Sequence, residues 1–187
     1  VRGDIARRLV ALAGAFVGHF RGGLGQVNVL SSVMFGGVSG SAAADASAVG
    51  GLMVPQMKER GYDVDYAVNI TVVSSIIALL LPPSHNMIIY SIAAGGRISI
   101  ADLFTAGIVP GFLLALALMI ASWWVAVKKG YPVQPFQGFR MIGVLFVSAA
   151  PGLILVAIIF GGVRSGIFTA SESSNIAVVY ALLVTFF

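Results

Sequence analysis

The chain has 187 residues, 58% hydrophobic and 10% charged, with 11 Lys and Arg against 7 Asp and Glu for a net charge of +4. A soluble domain carries about 25% charged residues, so this sequence holds too little polar surface to wet a folded core, and lipid must be its main solvent. With no cysteine, disulfide frameworks and thiolate metal sites are excluded, and the isolated His19 and His85 do not make a metal site. The fold class implied is an all-α membrane protein, a polytopic helical bundle. The excess positive charge does not point to nucleic acid, because the basic residues fall in short clusters between apolar runs, where they orient a chain in a bilayer.

Residues 1–25 interleave Arg2, Arg7, Arg8 and Arg21 with Ile5, Leu9, Val10, Leu12, Phe16 and Val17. That spacing gives an apolar helical face with a cationic edge, suited to an interfacial helix. The cytoplasmic end of a preceding span would read the same way. Residues 26–57 carry a single charge, Asp45. A continuous helix of that length, rising about 1.5 Å per residue, would overshoot a ~30 Å hydrocarbon core. Its middle, Gly36-Gly37-Val38-Ser39-Gly40-Ser41, is poor helix-forming sequence. Two short arms around a Gly37–Ser41 tip predict a re-entrant hairpin that enters and leaves on one side. Such irregular backbone at membrane depth needs protein or a watery cavity around it. A single kinked helix packing through Gly36 and Gly40 is the alternative.

Lys58-Glu59-Arg60-Gly61-Tyr62-Asp63 forms a polar turn, and an apolar run over residues 66–92 follows. It is broken at Pro82-Pro83-Ser84, where consecutive prolines remove two amide donors and unwind the helix, freeing the carbonyls of residues 78–81. Gly95-Gly96-Arg97 and Asp102 mark the next loop. Residues 103–127 read as a span with Trp123 and Trp124 near its end and Lys128-Lys129 as its flank. Residues 139–160 read as another, interrupted at Pro151-Gly152. Thr169, three residues before Glu172, is a capping-box pattern that starts a helix. The start without Met and the apolar run over residues 177–184 lead to the expectation of a piece of a longer chain. Residues 1–21, 58–60 and 128–140 hold most of the Lys and Arg, which assigns them to the cytoplasm and leaves Arg97 and Arg164 outside.

No GxSxG, Walker A or GxGxxG motif occurs, and the adjacent Ser84-His85-Asn86 does not supply a triad, so no enzyme is expected. The informative features are the two helix breaks. Discontinuous helices offer amide ends to an anion and bare carbonyls to a cation. Sodium, a hard cation, prefers such oxygens. The cation-binding candidates are Gly37, Ser39, Gly40, Ser41, Ser74, Ser75, Pro82, Pro83 and Ser84, largely through main-chain oxygens. Asp45 is costly in an apolar segment and is a substrate-binding candidate with Asn86. Its other reading is a partner for the helix dipole just after the tip. No cofactor is expected beyond sodium as coupling ion.

These stretches resemble a known family. Phe35-Gly36-Gly37-Val38-Ser39-Gly40-Ser41-Ala42-Ala43-Ala44-Asp45 is similar to the large membrane subunit of tripartite ATP-independent periplasmic (TRAP) transporters. So are Pro55 with Arg60-Gly61-Tyr62-Asp63, Pro82-Pro83-Ser84 through Tyr90, the span entry from Leu103 to Gly111, and the run from Gly166 to Ser174. The resemblance implies an inverted-repeat, elevator-type permease of the bacterial inner membrane, driven by sodium, with residues 166–187 starting a second hairpin. It also implies a small TRAP membrane subunit and a periplasmic substrate-binding protein as partners. Dicarboxylates, sialic acid or other carboxylates would be the organic-acid substrates. The sequence departs from the family pattern at Ala78-Leu79, where Gly-Pro is usual, at His85-Asn86, and at Ala170-Ser171, which bears on ion coordination and substrate choice. The alternatives are a tricarboxylate-type carrier of a related family, a passive channel and a purely structural membrane subunit.

Overall fold

The computed structural model describes residues 5–186; Arg2, counted above with the basic face, lies outside them. Among the described residues the regular structure is helical, in nine elements and no strand. In chain order they are α1 (Ile5–Val17), α2 (Gly23–Ser39), α3 (Ala42–Glu59), α4 (Val64–Ser75), α5 (Ile77–Leu80), α6 (His85–Ala93), α7 (Ile100–Lys129), α8 (Phe139–Arg164) and α9 (Ala170–Phe186).

By length and composition α7 and α8 can each cross a membrane, and α4 and α5 with α6, bent by 47° at the intervening break, would make a third span. Local chemistry sets the ends of α7. The Ser99 side chain accepts from the Asp102 amide at its start, and Gly130 closes its end in the left-handed region at φ 67. The buried stripe of α7 runs Phe104, Gly107, Gly111, Ala115, Ser122 and Ala126. These are mostly small residues, which let helix backbones approach closely where lipid removes the hydrophobic drive to associate. Its other faces expose Val109, Phe112, Leu116, Ile120 and Trp124, as a lipid-facing surface requires.

α8 runs unbroken through Pro151-Gly152, where the sequence predicted an interruption. The proline removes one amide donor, and the rest of the ladder carries the helix past it. The Tyr180 hydroxyl donates to the Pro151 carbonyl at 2.9 Å, and Gly152 admits Ile5 of α1. The capping box forms at the start of α9: the Thr169 amide donates to Glu172 Oε2 at 2.8 Å, and the Glu172 amide to Thr169 Oγ1 at 3.3 Å.

α2 is the centre of the bundle, in contact with α1, α3, α4, α5, α7 and α8. Val27, Val29, Val49, Met53, Met57, Ala67 and Ile77 form the core around it. α2 has 17 residues and α3 has 18, each about 26 Å long at 1.5 Å per residue and so short of a ~30 Å hydrocarbon core. The first arm begins at Gly23, three residues before the predicted boundary. The tip is also smaller than predicted, because α2 stays helical through Gly36, Gly37, Val38 and Ser39. Gly36 serves approach instead of disorder: a Cβ there would lie 2.8 Å from Ala78 Cα.

The predicted run over residues 66–92 has two breaks instead of one, since α4 stops at Ser75 and α5 restarts at Ile77. Ser74 Oγ donates to the Thr71 carbonyl at 3.1 Å and Ser75 Oγ to the Val72 carbonyl at 2.7 Å. Hydroxyls bonding back in this way compete with the helix ladder and bend it.

The three basic segments meet at one end of the bundle. The Gln134 amide donates to the Gly18 carbonyl at 3.2 Å, the Tyr62 hydroxyl to the Pro132 carbonyl at 3.2 Å, and the Asp63 amide to the Tyr131 hydroxyl at 3.4 Å. The Tyr62 and Tyr131 rings stack at 4.2 Å. An ion pair joins Lys129 to Asp63, and the hydrogen bonds from Lys129 and then Tyr131 hold the exposed Asp63 carboxyl below the usual aspartate range. Arg164 lies towards the opposite end, where its Nη1 donates to Thr105 Oγ1 at 2.6 Å in the early turns of α7.

Candidate functional site

The hairpin tip and the proline break touch. Gly40 ends α2 in the left-handed region at φ 59, its amide donating to the Gly36 carbonyl at 2.8 Å. Ser41 is the N-cap of α3 and accepts from the Ala44 amide at 3.4 Å. The Ser39 hydroxyl accepts from the Ser41 amide at 3.4 Å, which fixes the turn. Facing it, Leu81 and Ser84 are extended, with a cis peptide between Pro82 and Pro83. The His85 amide donates to the Gly40 carbonyl at 3.3 Å, a direct bond between tip and break. A Cβ on Gly40 would run into the Pro83 carbonyl oxygen, and one on Gly37 would lie 3.5 Å from the Pro82 oxygen.

Four helix ends therefore converge. The carbonyl ends of α2 and α5 and the amide ends of α3 and α6 lie around Gly40 and residues 81–84. Carbonyl ends suit a hard cation and amide ends an anion. Of the predicted cation ligands, Gly37, Ser39, Gly40, Ser41, Pro82, Pro83 and Ser84 share this junction. The buried Ser84 hydroxyl donates to the Leu79 carbonyl at 2.7 Å, holding the unwound segment against the last turn of α5. Gly107 of α7 closes in from behind, where a Cβ would collide with the Leu80 carbonyl oxygen.

Ser74 and Ser75 are engaged elsewhere. Ser75 bonds to its own helix, whereas Ser74 belongs to a buried network that the sequence reading missed. Asn28 Nδ2 donates to Thr71 Oγ1 at 2.6 Å, Ser74 Oγ donates to Asn28 Oδ1 at 3.1 Å, and Ser32 Oγ lies 3.1 Å from Ser74 Oγ. Asn28, Ser32 and Ser74 are fully buried. The signal was available: Asn28 and Ser32 are four residues apart, on one face of an apolar helix, and Thr71 and Ser74 are three apart on another.

Asp45 and Asn86 do not share a surface. Asn86 is exposed in the first turn of α6. Asp45 is 0% exposed, and neither carboxyl oxygen has a hydrogen-bond partner. Ser32 is the polar side chain that faces it, without completing a hydrogen bond. A helix dipole gives a carboxylate at most about 2 kcal/mol, against an effective burial penalty of several kcal/mol for an ion. The dipole alone does not account for Asp45.

A family model described as the tripartite ATP-independent periplasmic transporter, DctM component, matches residues 1–187. The chain belongs to the DctM family. Among its relatives are the sialic acid TRAP transporter permease protein SiaT of Haemophilus influenzae, 40% identical over 97% of this chain and 29% of SiaT, and the 2,3-diketo-L-gulonate TRAP transporter large permease protein YiaN of Escherichia coli, 41% identical over 97% of this chain and 42% of YiaN. The C4-dicarboxylate TRAP transporter large permease protein DctM of Rhodobacter capsulatus is 34% identical over 99% of this chain and 45% of its own length. The chain thus spans less than half the length of these relatives. As a DctM-family sequence with apolar membrane-crossing helices it is an all-α membrane protein, and its family is a transporter permease, not an enzyme class.

Proposed function

We propose that this chain forms part of the large permease subunit of a sodium-coupled secondary transporter for small organic acids. The carrying observation is the joint between hairpin tip and proline break, where the Gly40 carbonyl meets the His85 amide and the Pro83 carbonyl packs on Gly40. Oxygens from Gly37, Ser39, Gly40, Ser41, Pro82, Pro83 and Ser84 supply a site for sodium, and the amide ends of α3 and α6 a place for a carboxylate beside it. Sodium binding would then set the joint and so organise the carboxylate site, which couples the two ligands.

The relatives' names indicate the substrate class, since sialic acid, 2,3-diketo-L-gulonate and C4-dicarboxylates are all carboxylates. The partners in this reading are a small membrane subunit and a periplasmic substrate-binding protein, in the bacterial inner membrane. The gathered basic segments at Arg21, Lys58–Arg60 and Lys128–Lys129 would face the cytoplasm under the positive-inside rule. The test is uptake of labelled organic acids by the full-length protein and its small subunit in liposomes, with the binding protein, with and without a sodium gradient. Uptake that needs both supports the reading, and uptake indifferent to sodium and binding protein replaces it with a channel.

A further inference from the structure

We propose that a cavity at the basic end of the bundle binds the phosphate of an anionic lipid, whose chains leave it along the adjoining apolar wall. Helical spacing builds this cavity. Arg7, Val10 and Gly14 fall on one face of α1, three and four residues apart, and Gln56 lies one turn before Arg60 at the end of α3. Gln134 and Gln137 come from the segment between α7 and α8. The bond from the Gln134 amide to the Gly18 carbonyl holds that segment against the turn after α1. Gly14 leaves the space open, since nothing lies within 4 Å of a Cβ there. The volume is about 290 Å³, at the small end of ligand sites, which run roughly 300–1,000 Å³.

Two guanidinium groups and three carboxamides line the cavity, and among the described residues no carboxylate does. Glu59, the neighbour of Arg60 in sequence, is not part of the lining, and Asp63 is paired with Lys129. A guanidinium carries five N–H donors, so bonds that an arginine makes within the chain leave others for a ligand. Its planar fork matches two oxygens of a phosphate. The glutamine amides add neutral donors at positions where a carboxylate would repel an anion. Arg7, Gln56, Arg60 and Gln137 are exposed, which keeps these donors within reach of a headgroup.

The rest of the lining favours a lipid over a free anion. Val10, Leu24 and Val27 are buried there, with Leu52 and Leu145 half-buried beside them. A free phosphate or carboxylate has nothing to place against such a surface, whereas a lipid brings methylenes to it. The depth agrees. Trp123 and Trp124 are exposed near the end of α7, and Lys128 and Lys129 follow, the pattern of the headgroup level. The cavity's glutamines come from the segment just beyond, and basic pockets between helices at that depth suit anionic headgroups. A phosphate held there ties α1 to the base of the hairpin and to the segment before α8. The inference holds whichever acid is carried.

Titration of the full-length protein in detergent with phosphatidylglycerol, read by native mass spectrometry, tests it. Expected is saturable binding, tighter than for phosphatidylcholine, that Arg7→Gln or Arg60→Gln weakens about tenfold through loss of a charge-assisted hydrogen bond. Gly14→Met fills the cavity and keeps every charge, and should also weaken binding. Lys128→Gln removes the same charge from the same end, outside the cavity, and should stay within about twofold of wild type because exposed charges are screened. Phosphatidylcholine binding as tightly, wild-type binding by either arginine variant or by Gly14→Met, or an equal loss in Lys128→Gln overturns the proposal. So does displacement of the lipid by inorganic phosphate or succinate at matching concentration, since a free anion would then be the occupant. Should Gly14→Met fail to insert, the arginine variants decide alone.

Discussion

Replacing Gly40 by alanine strikes the joint between tip and break twice. The backbone there has φ 59, and a left-handed conformation costs a non-glycine residue about 1–2 kcal/mol. The added methyl would collide with the Pro83 carbonyl oxygen and lie only 3.2 Å from Pro83 C and 3.4 Å from Ser84 Cα. These are backbone atoms, so a side chain cannot swing aside and the two segments must separate. Overpacking of this kind adds about 1–3 kcal/mol. At 1.36 kcal/mol per tenfold, even the lower bounds together correspond to about 30-fold. Gly40→Ala should therefore lower uptake by the full-length protein in liposomes at least that far at limiting sodium, with the protein still inserted. Gly51→Ala is the control: nothing lies within 4 Å of a Cβ there, and alanine favours a helix by about 0.5–1 kcal/mol. If Gly40→Ala transports within about twofold of Gly51→Ala, where about 30-fold is expected, the joint is not where the cation is held, and the functional reading built on it fails.

Ser84→Ala removes the 2.7 Å bond to the Leu79 carbonyl at a buried position and should cost about 1–3 kcal/mol, read as a lower midpoint in thermal unfolding in detergent. Asn28→Leu breaks bonds to both Thr71 and Ser74 and should destabilise by more than Thr71→Val, which leaves the Ser74–Asn28 bond in place; the same unfolding assay ranks them. Asp63→Asn tests the exposed pair with Lys129. Because the folded Asp63 is held below its ordinary value, its stabilisation is fully present above about pH 4 and fades as the pH falls further. The difference in melting temperature between wild type and Asp63→Asn should be constant from neutral pH down to that point, vanish in stronger acid, and shrink in salt.

Composition alone made the membrane class legible, and prolines and glycines located the two segments that meet. The details failed where one residue type serves two purposes. Gly36 and Gly37 looked like helix breakers, yet they let α5 and the Pro82 segment approach while α2 stays helical. Pro151 looked like a break, yet a single missing amide leaves the helix continuous through it. Ser74 and Ser75 are cation candidates largely through main-chain oxygens, and their hydroxyls bond to Asn28 and to main-chain carbonyls of their own helix. The network through Asn28 and Thr71 was missed because an isolated polar residue in an apolar run declares its partner only once two helices are docked.

The basic end and the tip are linked by counting. α2 has 17 residues and α3 has 18, while α4 and α5 (12 and 4 residues) are separated by Ile76 alone. All three paths begin at the cluster of Tyr62, Asp63, Lys129 and Tyr131 and finish at the same joint. Depth along the bundle is thus written in residue number, about 1.5 Å and 100° for each one. An insertion in any one arm would slide that arm against two unchanged rulers, turning Gly40 away from Pro83 while the basic end stayed clasped. A length change that keeps the joint therefore belongs, by geometry alone, in the connections outside these three arms.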